Sequence, residues 1–402
     1  MSQDPHELKA QAVELVDGMK DELTALSQQI HDNPEIAFHE VQAASWITER
    51  LRQHGFQVES GAAGLPTAFR ATCNGQPGGP TVALLAEYDA LPEIGHGCGH
   101  NIMAAAAVGA GIAVSQLMHR GNLRGTILVI GTPAEEGGGG KITMVNAGVF
   151  RDVDAAMIVH PASRTMVTRG SLASTRLALE FFGKAAHAAS TPEEGINALD
   201  ACILTFVNIN ALRQHVTSDV RIHGIITNGG AAVNIVPEYA SATFSVRAAD
   251  KDSALQVLAR VQACAEAAAA ATGATVKMSV TNGYDNIRVN YALAAAFKAN
   301  WESLGEPVLE PRPNERMGST DMGNVSYVVP SVHPYIAIVP ETVPGHSREF
   351  CQAAVSPAGH RGLLLADKGL AMTTLDLLTD PGLLSRVKAE FEREVASSGT
   401  VG

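Results

Sequence analysis

Leu84-Leu-Ala-Glu-Tyr-Asp-Ala-Leu-Pro-Glu-Ile-Gly-His-Gly-Cys98-Gly-His100-Asn101 is the stretch whose reading decides the fold. An apolar run over residues 81–86 predicts a strand. The Pro- and Gly-punctuated segment after it predicts a loop carrying Asp89, His96, Cys98 and His100, and the Ala-rich residues 102–118 predict a helix. In open α/β sheets, ligands bind beyond the carboxyl ends of parallel strands. Thiolate and imidazole are ligands for zinc and similar ions. Taken alone, the stretch reads equally as a metal loop or as a free thiol with two loop histidines.

The downstream sequence repeats the pattern. Residues 125–131 form a second continuous apolar strand that runs into Thr132-Pro-Ala-Glu135-Glu136 and four glycines, followed by a helix over 141–147. A third apolar strand, 155–159, ends in His160-Pro161. Strands alternating with helices predict a parallel α/β sheet with right-handed crossovers. Parallel strands would carry Cys98, His100, Glu135, Glu136 and His160 to one sheet edge. Two adjacent glutamates there can divide labour, one holding a metal and the other moving a proton. Elsewhere the same pair would be a solvated acidic loop, and His160 alone would be a capping histidine.

Before this region, apolar residues at helical spacing over 7–30 predict one long helix, and 41–54 a second that ends at Gly55. Residues 66–72 predict a strand and 74–80 a turn. At Ser171 the pattern changes. Strands at 174–182, 220–227, 233–246 and 274–280, with helices at 196–212 and 253–272, give the β-α-β-β-α-β order of a ferredoxin-like unit. After residue 286 the first pattern returns, with helices at 291–304, 358–378 and 381–397 and a strand at 333–339. The expected organisation is a catalytic domain of residues 1–171 and 286–402, interrupted by an inserted α+β domain of residues 172–285.

Composition narrows the function. The chain has 402 residues, 46% hydrophobic and 17% charged, which fits a globular protein of two domains. A net charge of −12 argues against a nucleic-acid partner, because phosphate binding needs a basic surface. No apolar run is read as reaching the length of a membrane span, and no secretory signal is read at the N-terminus. Five scattered cysteines (73, 98, 202, 264 and 351) suggest reduced thiols and a cytoplasmic location.

Four blocks carry a resemblance: Asp89-Ala-Leu-Pro, Gly97-Cys-Gly-His-Asn, Pro133-Ala-Glu-Glu-Gly and Gly183-Lys-Ala-Ala-His-Ala. In this order the chain resembles the aminoacylase and carboxypeptidase family of metallopeptidases over nearly its whole length. The longer block at 87–101 and Gly318-Ser-Thr-Asp-Met-Gly are most similar to the branch of aminobenzoyl-glutamate hydrolases, indoleacetyl-amino-acid hydrolases and β-alanyl-lysine dipeptidases. The resemblance implies a mostly parallel-sheet catalytic domain with a ferredoxin-like lid or dimerisation domain. It implies one or two divalent ions, Zn2+ or Mn2+, held by Cys98, His100, Glu136, His160 and His346, with Cys98 standing where many members have a bridging Asp. Glu135 then matches the general base, and Asp89 an acid that orients a ligand histidine or holds a loop. His187 matches an oxyanion-stabilising histidine, often supplied by the partner subunit, and Asn234 and Arg247 match positions that hold a substrate carboxylate. Arg247 reads equally as a strand-end surface charge. His96 matches no assigned role and is expected to be structural or loop-exposed. The implied reaction is hydrolysis of an N-acyl amino acid or dipeptide-like amide bearing a carboxylate, by a homodimer formed through the inserted domain, with no nucleic-acid or membrane partner. A hydrolytic deaminase of a small aromatic amine, and a non-catalytic ligand-binding relative, are the alternatives.

Overall fold

The computed structural model describes residues 4–398, Asn282 and Ser398 by their backbone alone. The chain divides into two compact units, Met1–Gly170 with Ile287–Gly402, and Ser171–Asn286. The first unit begins with α1 (Pro5–Gly18), α2 (Lys20–Asp32) and α3 (Val41–Gln53). The single helix expected over 7–30 is therefore two. The break falls at Met19 (φ −95°, ψ 4°), directly after Gly18, whose helix propensity is poor. Asp21 and Glu22 then favour a new helix N-terminus through the backbone dipole. The apolar stripe survives the break: Leu8, Ala12 and Val16 are buried before it, and Leu23, Leu26 and Ile30 after it.

β1 (Gln57–Ser60), β2 (Phe69–Asn74), β3 (Gln76–Ala86), β4 (Arg124–Gly131), β5 (Ala155–Met157) and β6 (His160–Ala162) follow, with α4 (His100–Gly121) after β3 and α5 (Gly140–Asn146) after β4. The turn expected over 74–80 is the extended start of β3, where the register against β4 shifts between Gln76 and Thr81. α4 corrects a second expectation. It is long and apolar enough to cross a membrane, but 89% of its apolar window is buried inside the fold. It packs against the sheet and against α1, α2 and α3, so its hydropathy is that of a helix apolar on all sides in a large core.

The second unit is β7 (Ala173–Phe182), α6 (Ala198–Leu212), β8 (Arg221–Asn228), β9 (Tyr239–Ala248), α7 (Lys251–Thr272) and β10 (Thr275–Tyr284). Its sheet runs β10-β7-β9-β8, antiparallel throughout. Buried and half-buried residues alternate along β9, as a sheet with one covered face requires. Leu177, Phe181, Phe244 and Val246 pack with Ile209 of α6 and Val261 of α7. The strand expected to begin at 233 begins at 239, after Pro237, which has no N–H to give a ladder.

The chain re-enters the first unit through α8 (Tyr291–Ser303), α9 (Met322–Ser326), β11 (Ser331–Val332), β12 (Tyr335–Ala337), α10 (Arg348–Ala353), α11 (Pro357–Thr379) and α12 (Pro381–Ser398). The main sheet runs β1-β2-β4-β3-β5-β11. β4, β3, β5 and β11 pair in parallel, while β1 and β2 join antiparallel at one edge. The strand expected over 333–339 is the shorter β12, and β11 just before it belongs to the main sheet, with His333 and Pro334 between the two. β12 pairs in parallel with β6, so His160 sits in a small sheet of its own and not at the edge of the main one.

Candidate metal centre

β3 ends in Ala86, and the next three residues, Glu87, Tyr88 and Asp89, stay buried. The loop then turns back on itself and closes at Gly99 (φ 80°), which caps α4. A side chain at Gly99 would bring Cβ to 2.9 Å from Pro161 Cγ, so glycine is required both by its left-handed φ and by the approach of the His160-Pro161 strand. His100 is therefore the first residue of α4. Its Nδ1–H donates to the Asp89 carboxylate and carbonyl, both at 2.9 Å. That fixes the tautomer and turns Nε2 toward Cys98 and toward Glu87, whose Oε2 lies 3.2 Å away. The other Asp89 oxygen accepts the Glu136 backbone N–H at 2.9 Å, so one carboxylate aligns the first and second candidate loops.

Cys98 lies at the centre. Its Sγ is 3.3 Å from His160 Nε2 and 3.4 Å from His346 Nε2. His346 Nε2 is also 3.3 Å from Glu136 Oε1. Two groups of ligand atoms, each with members within 4.8 Å of one another, result: Cys98 with His100 and His160, and Cys98 with Glu136 and His346. The thiol belongs to both. His346 reaches its place with φ 60°, a strained conformation for a non-glycine residue, held by its N–H to the Gly97 carbonyl at 3.0 Å. The donors fit a divalent transition ion: three protein ligands per group leave room for water or substrate, as hydrolytic zinc requires. The electrostatics agree. Burial, and then Glu136, hold the Cys98 thiol well above its ordinary range, which a bound cation would reverse. Burial and the neighbouring His100 push His160 down to about 4, leaving it neutral and able to ligate.

Glu135 and Glu136 diverge. Burial, then the charges of Glu87, Asp321 and Glu136, push the Glu135 carboxyl well above the usual range. Burial also acts on Glu136, but its hydrogen bond to His346 and the charge of His100 outweigh it and hold it low. A third group, Glu87 with His100 and Glu135, shares His100 with the first. Glu87 is held by Lys141, whose Nζ lies 2.6 Å from Glu87 Oε1 and 2.6 Å from Asp321 Oδ1, all three side chains fully buried. The sequence reading missed this knot. A lysine at the start of a helix reads as solvated, although Glu87 at the end of an apolar strand was a signal. It also missed His333, a buried imidazole whose ring centroid lies 5.7 Å from that of His160 and 4.8 Å from that of Tyr335. His96, expected as structural or loop-exposed, is buried, and burial pushes it down to about 3.

His187, Asn234 and Arg247 belong to the second unit. His187 Nδ1 accepts the N–H groups of Ala189 and Ser190, each at 3.2 Å, leaving Nε2–H as the ring donor. The Asn234 carbonyl accepts the Ala188 N–H at 3.0 Å, so the His187 and Asn234 loops run together. Arg247 is not with them. It lies eight residues beyond Tyr239 on β9, roughly 26 Å at strand rise, at the opposite end of the sheet. The two residues expected to hold a substrate carboxylate therefore stand toward opposite ends of this sheet.

The model of peptidase family M20/M25/M40 matches residues 83–362. The Xaa-Arg dipeptidase of Mus musculus is 39% identical over 96% of this chain and 92% of that protein. One of the subunits of the p-aminobenzoyl-glutamate hydrolase of Escherichia coli is 31% identical over 92% of each chain. A Bacillus subtilis structure described as a dinuclear metal-binding peptidase of family M20 superposes with a TM-score of 0.70 at 20% identity, covering 90% of this chain and 99% of that one.

Proposed function

Because the chain belongs to peptidase family M20/M25/M40 and is a hydrolase of the metallopeptidase and amidohydrolase type, we propose that it cleaves the amide bond of a small carboxylate-bearing substrate, a dipeptide or N-acyl amino acid of the Xaa-Arg, β-alanyl-lysine or aminobenzoyl-glutamate kind. The observation that carries this reading is the sharing of the Cys98 thiol by two groups of donors, with the Glu135 carboxylate in a third group beside His100. Glu136, held ionised, joins Cys98, His100, His160 and His346 as a ligand. Glu135 takes a proton from the attacking water and returns it to the leaving amine. One or two bound divalent ions, zinc or manganese, would supply Lewis acidity and acidify water toward neutral pH. Lys141 compensates the charge of Glu87, which lies in the same group as Glu135.

The second unit completes the reading. His187, with Nε2–H free to donate, suits an oxyanion. Arg247 suits a carboxylate through its paired donors. Because Asn234 stands at the other end of β9, we assign the two to sites served by different copies. Exposed Ile203, Leu204 and Val207 on α6, with Ile225 and Ile226 on the edge strand β8, support a homodimer through this unit. The five cysteines are free, which supports a reducing, cytoplasmic setting.

The test is product analysis with purified, metal-loaded protein on β-alanyl-lysine, Xaa-Arg dipeptides, aminobenzoyl-glutamate and N-acyl amino acids. Chelator-sensitive release of a free amino acid is expected. Ammonia without cleavage of the acyl–amine bond would replace the reading with a deaminase. Full metal content with no turnover on the panel would replace it with a ligand-binding protein.

A further inference from the structure

Three residues before the first turn of α3, the chain makes a contact that no part of the hydrolytic chemistry accounts for. Phe38 and Ala134 are both non-glycine residues in the left-handed region, with φ 63° and 62°. Their backbone N–H groups converge on one oxygen, Glu40 Oε1, at 2.9 Å each. The other oxygen, Oε2, accepts the Thr67 hydroxyl at 2.9 Å. Thr67 is tied in turn to the end of β3, since Tyr88 Oη donates to the Thr67 carbonyl at 2.6 Å. Glu40, Thr67, Tyr88 and Ala134 are all buried. A buried carboxylate with three donors is fully satisfied, and the low dielectric makes each of those bonds strong. Ala134 is the residue immediately before Glu135. Phe38 lies over the glycine loop that follows: a side chain at Gly138 would bring Cβ to 2.2 Å from Phe38 Cε2.

We infer that Glu40 is a positioning residue for the hydrolytic site, its carboxylate holding Ala134 in the left-handed conformation that aims Glu135 and Glu136. The inference rests on the reading of those two residues as base and ligand. An alanine leaves the left-handed region when nothing holds it there. The peptide turn that follows would then rotate the two glutamates away from the Cys98 groups. Glutamine at position 40 keeps the shared acceptor oxygen and the chain length. Aspartate is one methylene short of it. Glycine at 134 adopts the left-handed region without help.

The experiment compares Glu40→Gln, Glu40→Ala and the double variant Glu40→Ala/Ala134→Gly, with Glu40→Asp in place of Glu40→Ala if the latter does not fold. It reads kcat and KM separately, zinc affinity by competition with a chromogenic chelator, and hydrogen exchange of the 132–140 peptide. Glu40→Ala is expected to lower kcat by about 100-fold with KM changed less than about 3-fold, as a misaimed catalytic group does. It should also weaken zinc binding and speed exchange in 132–140 alone. Glu40→Gln should stay within about 3-fold of the parent, and Ala134→Gly should recover about 10-fold of the lost kcat. Unchanged kcat and zinc affinity in folded Glu40→Ala overturn the inference. So does the absence of any recovery in the double variant, which would leave Glu40 a purely structural brace. If the parent hydrolyses no amide, the functional reading fails by itself, and zinc affinity and exchange still decide whether Glu40 positions the loop.

Discussion

The two units of the chain place polarity in opposite ways. The first buries charge: Glu40, Glu87, Asp89, Lys141, Asp321 and Asp367 all lie out of solvent. The second buries a single carboxylate among its described residues, Asp285, paired with Lys251 at 3.0 Å, and turns aliphatic side chains outward, with Val207 54% and Ile225 67% exposed. Burying an ionised group costs free energy unless partners compensate, and exposing a large aliphatic one forgoes the stabilisation of burial. The buried charge of the first unit suits a preorganised hydrolytic site, and the exposed aliphatic face of the second suits the proposed homodimer. The first unit also contains its own counter-example. Around Lys141 two buried carboxylates share one ammonium, whereas both Asp367 carboxylate oxygens, on α11, find no hydrogen-bond partner among the described residues.

Four variants test that contrast, in falling order of expected effect. Glu135→Gln should lower kcat by about 10²–10⁴-fold while leaving zinc content intact, because it removes a proton carrier and not a ligand. Steady-state kinetics beside elemental analysis check it, and near-parental turnover would remove the base from the account. Lys141→Met should destabilise the fold by about 3–5 kcal/mol, because Glu87 and Asp321 would be left buried without their cation. A denaturant midpoint unchanged from the parent would show that the interior charge is not organised around this lysine.

Asp367→Asn should stabilise the first unit by about 1–3 kcal/mol at neutral pH. Burial raises the Asp367 pKa well above 3.8, so the folded state binds a proton more tightly than the unfolded chain does. The parent therefore loses stability as pH rises from near 3.8 toward that raised value, and the substitution should remove this slope because an amide does not titrate. Denaturation curves at several pH values decide it, and identical slopes in both proteins would mean that Asp367 finds a partner in solution. The smallest effect on folding belongs to the second unit. Ile225→Ser with Val207→Ser should change unfolding free energy of the single chain by no more than about 0.5 kcal/mol, as surface changes do. It should nonetheless shift the mass in light scattering from dimer to monomer. A parent that is already monomeric would end the adhesive reading of that face.

The apolar strands of the first half of the chain were legible because such runs are local signals, whereas a candidate donor as distant as His346 came only from the family resemblance. The 155–159 run gave β5 and the β-α-β-β-α-β pattern gave the inserted unit. What it hid was set by tertiary contacts. Lys141 looks like any helix-start lysine until Glu87 and Asp321 close on it. Glu40 lies in a polar loop, and its link to Ala134 spans 94 positions. The separation of Asn234 from Arg247 follows from the length of β9, which the residue types alone do not convey. The break at Met19 was legible in Gly18, but the continuous apolar stripe on either side outweighed it.

The claim on which the rest depends is that Cys98 is shared by two groups of metal ligands. Its most direct test is the zinc and manganese stoichiometry of stripped and reloaded protein, measured in parallel on the parent and on Cys98→Ala. Up to two ions per parent chain are expected, with loss of tight binding at both positions when the single thiol is removed. No bound metal in the parent, or the same number held equally tightly without Cys98, would contradict it.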